Sequence, residues 1–230
     1  MKTIGLIGGM SWESSLEYYR IINEGVKSRL GGLHSAQCIL YSVEFAEIEL
    51  YMRKGEWEKI SQALIKVAGK LESAGADFIL LCTNTMHKFA EEIQGAIDIE
   101  LLHIAEATAV EVNRANIKKV GLLGTRPTME QDFYTKTLQQ NGIQVVIPSH
   151  TDREITHNVI FQELCLGIIT PESKNEYKKI INGLIKQGAE GIILGCTEIP
   201  LLIKPEDSPV PLFDTTYIHA MQAVNKALAN

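Results

Sequence analysis

Short apolar runs alternate along the chain with longer stretches whose apolar positions recur every three or four residues. The runs read as strands and the longer stretches as amphipathic helices. Thr3 to Gly8 predicts a strand, Glu13 to Leu30 a helix and Ala36 to Val43 a second strand. Trp57 to Ser73 predicts a helix with Ile60, Ala63, Leu64, Val67, Ala68 and Leu71 on one face. Asp77 to Cys82 is unbroken apolar sequence, as in a strand buried on both faces of a parallel sheet. A helix is expected from about Thr85, a short strand at Leu101 to Ile104, and a helix at Glu106 to Arg114.

The order then recurs. Lys119 to Gly124, Gln144 to Ile147, Gly191 to Gly195 and Pro211 to Phe213 predict strands. Met129 to Gln140, Asp152 to Leu166, Pro171 to Gln187 and Thr215 to Leu228 predict helices. Repeated β–α units with short connections indicate an α/β fold with mostly parallel sheets. Gly5-Leu-Ile-Gly-Gly9 matches Gly121-Leu-Leu-Gly-Thr125, and the nine residues from Gly75 match the nine from Gly188 without a gap. The chain is therefore an internal duplication. It predicts two similar lobes related by a pseudo-twofold: residues 1–105 with the terminal helix 214–230, and residues 106–213. Strand C-terminal ends bind ligands in open parallel sheets, so both lobes are expected to aim theirs at a shared cleft.

Composition narrows the partners. Of the 230 residues 45% are hydrophobic and 22% charged, ordinary for a globular protein. The net charge is -6 and no basic stripe is present, which disfavours nucleic acid. The apolar runs are strand length, too short to span a membrane. The glycine-containing stretch Ile4 to Met10 lacks the form of a signal peptide, so a cytoplasmic protein is expected. None of the four cysteines, Cys38, Cys82, Cys165 and Cys196, has C-x-x-C spacing, and the histidines show no metal spacing.

The two repeats end in Cys82-Thr83-Asn84-Thr85 and Cys196-Thr197-Glu198-Ile199. The ungapped match places Cys196 on Thr83, and Cys82 on Gly195. Side chains alternate along a strand, so Cys82 is expected to point into packing if Cys196 faces a ligand. A thiol at a strand-to-helix junction is expected to have a lowered pKa. The local N–H groups, with Asn84, Thr85 and Thr197, suit a carboxylate. Met10 and Ser11 follow a glycine-rich turn of the same kind. Thr125 is the counterpart of Gly9; it and Thr128 either face the ligand or cap the next helix. Glu198 is placed to orient Cys196 or to meet an ammonium.

These motifs carry a resemblance. Gly8-Gly9-Met10-Ser11-Trp12-Glu13, Thr83-Asn84-Thr85-Met86-His87, Gly124-Thr125, Glu163-Leu164 and Gly195-Cys196-Thr197-Glu198-Ile199-Pro200 resemble the aspartate/glutamate racemase family across essentially the whole chain. The resemblance implies a cofactor-independent amino-acid racemase, commonly a dimer, using neither pyridoxal phosphate nor metal. In that family a cysteine from each lobe flanks the substrate, one removing the Cα proton and the other reprotonating the opposite face. It also offers Arg53 as a partner for a substrate side-chain carboxylate, against the plainer reading of an exposed surface Arg.

Two departures stand out. Thr83 stands where the family's first cysteine is expected, and in this the chain resembles the broad-specificity and L-aspartate/glutamate branch that shares the Thr. A hydroxyl is a weaker acid and a poorer base than a thiol. Thr83 and Cys196 are the expected pair, with Cys82 swinging in as the rival. The polar Tyr and Lys of aspartate enzymes correspond here to Phe161 and Cys165, which argues against a strictly acidic substrate. Rival functions are an isomerase or decarboxylase of small dicarboxylic acids using one cysteine, and an amino-acid-binding protein without catalysis. His87 fits the family's Asn-Thr-x-His run, but by spacing alone it reads equally as a helix-surface residue.

Overall fold

A computed structural model describes residues 1–229. The chain divides into two compact units, residues 1–103 with the chain from His219 onward, and Ile104–Ile218. Residues 104–105 and 214–218, which the sequence reading groups with the first lobe, cluster with the second unit.

The first unit runs β1 (Ile4–Gly8), α1 (Trp12–Leu30), β2 (Cys38–Ser42), α2 (Phe45–Lys54), α3 (Trp57–Ser73), β3 (Phe78–Leu81), a 3-10 turn (Thr85–Phe89), α4 (Ala90–Gln94) and β4 (Glu100–Leu102). Its sheet order is β2-β1-β3-β4, with every pairing parallel. The strand period sorts the core into two layers. Ile7, Ile79 and Leu81 pack with Ile60, Leu64 and Leu71 of α3. Ile4, Leu6, Phe78, Leu80 and Cys82 pack on the other face with Tyr18, Ile22 and Val26 of α1 and with Ala220, Ala223 and Val224 near the C-terminus.

The second unit repeats this plan. It comprises α5 (Ile104–Arg114), β5 (Lys119–Gly124), α6 (Arg126–Glu130), α7 (Asp132–Gln140), β6 (Gln144–Val146), α8 (His150–Gln162), a 3-10 turn (Leu164–Leu166), α9 (Pro171–Lys186), β7 (Gly191–Gly195), α10 (Ile199–Leu202), a 3-10 turn (Pro205–Asp207) and β8 (Leu212–Asp214). The last helix, α11 (Thr215–Leu228), starts in this unit and ends in the first. The sheet order is β6-β5-β7-β8, again all parallel. Leu123, Ile192, Leu194 and Cys196 share one layer with Ile180, Ile181 and Leu184 of α9. Val120, Leu122 and Ile193 share the other with Val112 of α5 and Leu138 of α7. The turns after α3 and α9 also match, with Gly75 at φ +92° and Gly188 at φ +93°.

Both sheets therefore have the order 2-1-3-4 in their own strand sequence. Crossovers leave the first and third strands toward opposite edges, which opens a crevice at the C-terminal ends of that pair. In the first unit the crevice lies between the ends of β1 and β3, and in the second between the ends of β5 and β7.

The helix expected over Met129 to Gln140 is two helices. Gln131 is extended at φ −88°, ψ 154° and separates α6 from α7. The helix expected to reach Leu166 ends at Gln162, and Cys165 sits in the 3-10 turn beyond it. The helix expected at Thr85 begins as a 3-10 turn.

Candidate functional site

Most of the candidate residues follow the ends of the strands that border the two crevices. In the second unit, β5 and β7 run side by side to their ends, with Gly124 opposite Gly195. A Cβ on Gly124 would lie 2.8 Å from the Gly195 carbonyl oxygen, and a Cβ on Gly195 would lie 2.8 Å from that of Leu123. Glycine at both places lets the strand ends approach this closely. The chain turns immediately afterward into Thr125 and Cys196.

Cys196, Thr197 and Glu198 are all buried. The Cys196 thiol donates to Glu198 Oε2 at 3.0 Å, and the Thr197 hydroxyl donates to the same oxygen at 2.7 Å. Burial, then the negative charge of Glu198 and the nearby Cys165, push the Cys196 thiol well above its ordinary pKa. The sequence expectation of a lowered pKa is thus reversed. The helix that follows has only the four residues Ile199–Leu202, too short for a sizeable dipole, and a carboxylate lies against the sulfur. Cys196 therefore rests as a neutral thiol.

Thr125 caps α6: the Thr128 N–H donates to its hydroxyl oxygen at 3.4 Å, and the two hydroxyls lie 3.1 Å apart. Phe161, on α8, and Cys165 both pack against the apolar cluster containing Cys196. Tyr177 belongs to that cluster too, and its hydroxyl donates to the Thr156 carbonyl at 3.0 Å.

In the first unit, Met10, Ser11, Thr83, Asn84 and Thr85 are all buried around the ends of β1 and β3. Ser11 caps α1, accepting from the Ser14 N–H at 3.3 Å. Ser15 accepts from the Gly9 N–H at 2.7 Å and donates to the Ser11 carbonyl at 2.9 Å. The Gly9 and Ser14 amides of this turn are thus bonded within it.

Cys82 continues the face of Phe78 and Leu80 into the α1 layer and is fully buried. Burial pushes its thiol up strongly. Thr83 comes after Ile79 and Leu81, as Cys196 comes after Ile192 and Leu194. Arg53 sits in the last turn of α2, is exposed, and pairs with Glu49 at 3.7 Å.

His87 departs from the surface alternative and is buried. Its Nδ1 donates to the Thr83 carbonyl at 2.7 Å. The His87 ring meets those of His103 and His219 edge-on, with centroids 4.8 Å and 5.7 Å away. His219 Nε2 donates to the Leu102 carbonyl at 2.8 Å, so its Nδ1 accepts from the Tyr18 hydroxyl at 2.8 Å. Sequence spacing hid this cluster because its members come from α1, the turn after β3, the residue after β4, and α11.

Burial holds all three histidines neutral, with His103 lowered to about 4, His219 to about 3 and His87 well below the ordinary value. Unfolding releases them to an ordinary pKa of about 6.5. Their contribution to stability is therefore complete above about pH 6.5 and lost as pH falls toward 4, because only the unfolded chain takes up the protons. Each histidine is expected to add about 1.4 kcal/mol per pH unit within that window. Urea midpoints at pH 7.5 and 5.0 measure this; equal midpoints would contradict it.

The comparisons with known proteins agree with this architecture. The family model for Asp/Glu/Hydantoin racemase matches residues 7–223. The chain belongs to the Asp/Glu/Hydantoin racemase family. Among relatives of this racemase-family chain, the broad-specificity amino-acid racemase RacX of Bacillus subtilis (strain 168) is 28% identical over 98% of both chains. A Yersinia pestis structure assigned to the Asp/Glu racemases is 54% identical, superimposes with a TM-score of 0.93 and covers all of both chains. An aspartate racemase homologue from Pyrococcus horikoshii OT3 is 36% identical with a TM-score of 0.86, also over all of both chains. Among the described residues, no helix is long and apolar enough to cross a membrane, and no group of three or more His, Cys, Asp or Glu is placed to hold a metal ion.

Proposed function

We propose that the chain is a cofactor-independent racemase of a small α-amino acid, aspartate, glutamate or a polar relative. Cys196 serves one face of Cα and Thr83 the other. The observation that carries this is the buried Cys196–Glu198 pair at the end of β7, with the repeat placing Thr83 at the corresponding end of β3. The names borne by the family relatives support the substrate class.

In this reading Cys196 acts first as the acid, since its thiol rests protonated. Its S–H gives a proton to the Cα carbanion and is restored by a solvent proton relayed through Glu198 Oε2, while a proton leaves the opposite face through the Thr83 hydroxyl. That hydroxyl passes one proton on to solvent as it receives another, so no alkoxide persists. In reverse, the Cys196 proton moves to Glu198 Oε2 and on to solvent, leaving a thiolate that takes the Cα proton, while Thr83 delivers a solvent proton to the opposite face. The equilibrium constant between enantiomers is unity, so kcat/KM is equal in both directions. Removing the Thr83 hydroxyl therefore slows both. Met10, Ser11, Asn84, Thr85, Thr125 and Thr197 are assigned to holding the substrate, as is Arg53 for a side-chain carboxylate. A homodimer acting in the cytoplasm is part of the same reading.

The Thr at position 83 favours a second reading, an isomerase or decarboxylase needing a single thiol. Purified protein incubated with a panel of L- and D-amino acids, without added cofactor, separates the two by chiral chromatography. Convergence of an acidic or polar amino acid to a 1:1 mixture from either side is the expected result. Unchanged enantiomers across the panel would overturn the racemase reading. Binding without conversion would instead leave an amino-acid-binding protein.

A further inference from the structure

Thr83 lacks the reactivity of a thiol, so its usefulness as a proton carrier depends heavily on where its hydroxyl is held. Its backbone is fixed on both sides. The Thr83 N–H donates to the Leu81 carbonyl at 2.8 Å. The Thr83 carbonyl accepts from His87 Nδ1 at 2.7 Å. With both adjoining peptide planes held, the Thr83 side chain is left chiefly with rotation about χ1.

His87 is itself held by its surroundings. It is 2% exposed, and the edges of His103 and His219 close on its ring. His219 is fixed between the Leu102 carbonyl and the Tyr18 hydroxyl, at 2.8 Å to each. Tyr18 lies on α1, which begins just after Met10 and Ser11. The cluster thus ties the turn after β3 to the helix that leaves the turn after β1. A carbonyl only accepts, so Nδ1 of His87 must carry the hydrogen.

We infer that His87 is a positioning residue for the racemase reaction, holding the Thr83 hydroxyl in place through the Thr83 carbonyl, with His219 and Tyr18 fixing the ring that does so. The inference rests on the two-faced racemase reading given above. It assigns His87 no contact with substrate and no proton transfer. Burial that keeps the cluster neutral suits this role, since a neutral imidazole keeps one hydrogen and one tautomer across the working pH range.

Two amide substitutions separate positioning from a merely structural role. The side-chain N–H of Asn lies near the place of His Nδ1, whereas that of Gln lies near Nε2. In heavy water, His87→Leu is expected to lower inversion at Cα roughly 10- to 100-fold. It should leave deuterium exchange with retention nearly unchanged for the enantiomer whose Cα–H faces Cys196, because that exchange needs only the thiol. His87→Asn is expected to recover most of the inversion, and His87→Gln little of it. The Asn and Gln comparison stands even if His87→Leu fails to fold. Long-range proton–nitrogen NMR of the wild type is expected to show His87 as the neutral Nδ1–H tautomer from pH 5 to 8.

Equal loss of inversion and retention exchange in folded His87→Leu would overturn the inference. So would rescue by Gln as good as that by Asn, or a wild-type His87 that protonates between pH 5 and 8. Absence of any Cα exchange in the wild type would overturn the racemase reading itself. The NMR tautomer then decides the His87–Thr83 hydrogen bond independently.

Discussion

Cys196→Ala is expected to abolish inversion at Cα, lowering kcat/KM in both directions by roughly three orders of magnitude, within the range of about 10²- to 10⁴-fold for a lost general acid or base. The loss is symmetrical because each direction uses Cys196 once, as acid or as base. The substitution removes only a buried sulfur, so the fold is expected to persist. Its core neighbours Leu194, Ile199 and Tyr177 remain packed. Cys196→Ser makes the same point with less change of shape. A serine hydroxyl keeps a donor for Glu198 Oε2, which now accepts the thiol at 3.0 Å, yet it is far harder to deprotonate. Chiral chromatography with L- and D-substrate measures both variants. Activity in either variant within tenfold of wild type would remove Cys196 from the chemistry.

Gly9→Ala is expected to destabilise the protein by about 3 kcal/mol or more, beyond the effect of most single substitutions. Gly9 has φ +90°, which side chains of L-residues rarely adopt. A Cβ there would meet the Val43 carbonyl oxygen at 2.3 Å, its nitrogen at 2.5 Å and Ser42 Oγ at 2.8 Å. The first two are backbone atoms and cannot rotate aside. The Val43 N–H donates to the Gly8 carbonyl at 3.0 Å, so moving Val43 breaks a bond joining the ends of β1 and β2. The same shift disturbs Met10 and Ser11. Gly55→Ala is the control: its φ of +70° and ψ of 19° are left-handed helical with nothing within 4 Å, so only the backbone strain of about 1 kcal/mol is expected. Urea unfolding compares the two by their midpoints. A Gly9→Ala midpoint no lower than that of Gly55→Ala would contradict the close approach.

Much of the fold was legible because its elements are buried on defined faces. The period of Ile60, Leu64, Val67 and Leu71 gave α3 its bounds, Trp57–Ser73, since all four face the sheet. The bounds of β5 and β7 were also readable, both being apolar runs ending in glycine. The ungapped repeat was more informative than the cysteine spacing. It aligned Thr83 with Cys196, and the core layers place Ile79 and Leu81 as they place Ile192 and Leu194.

What remained hidden depended on local geometry or on distant partners. Gln131 has no helix-breaking side chain, yet its extended backbone divides α6 from α7. Cys165 fits the period of α8 but sits beyond its end. The strand-to-helix position of Cys196 suggested a lowered pKa; the one-turn α10 and the Glu198 carboxylate reverse it. His87 gave no sign of burial because His103, His219 and Tyr18 meet it only in the folded chain.

The most direct test of the account follows Cα–H exchange and inversion together by proton NMR in heavy water, comparing wild type, Thr83→Ala and Cys82→Ala. The wild type is expected to give inverted product carrying deuterium at Cα. Thr83→Ala is expected to lose inversion and to keep exchange with retention from one enantiomer only. Cys82→Ala is expected to behave as wild type, since Cys82 is fully buried in the α1 layer. Loss of activity in Cys82→Ala with Thr83→Ala intact would contradict the account and move the second face of the chemistry to Cys82.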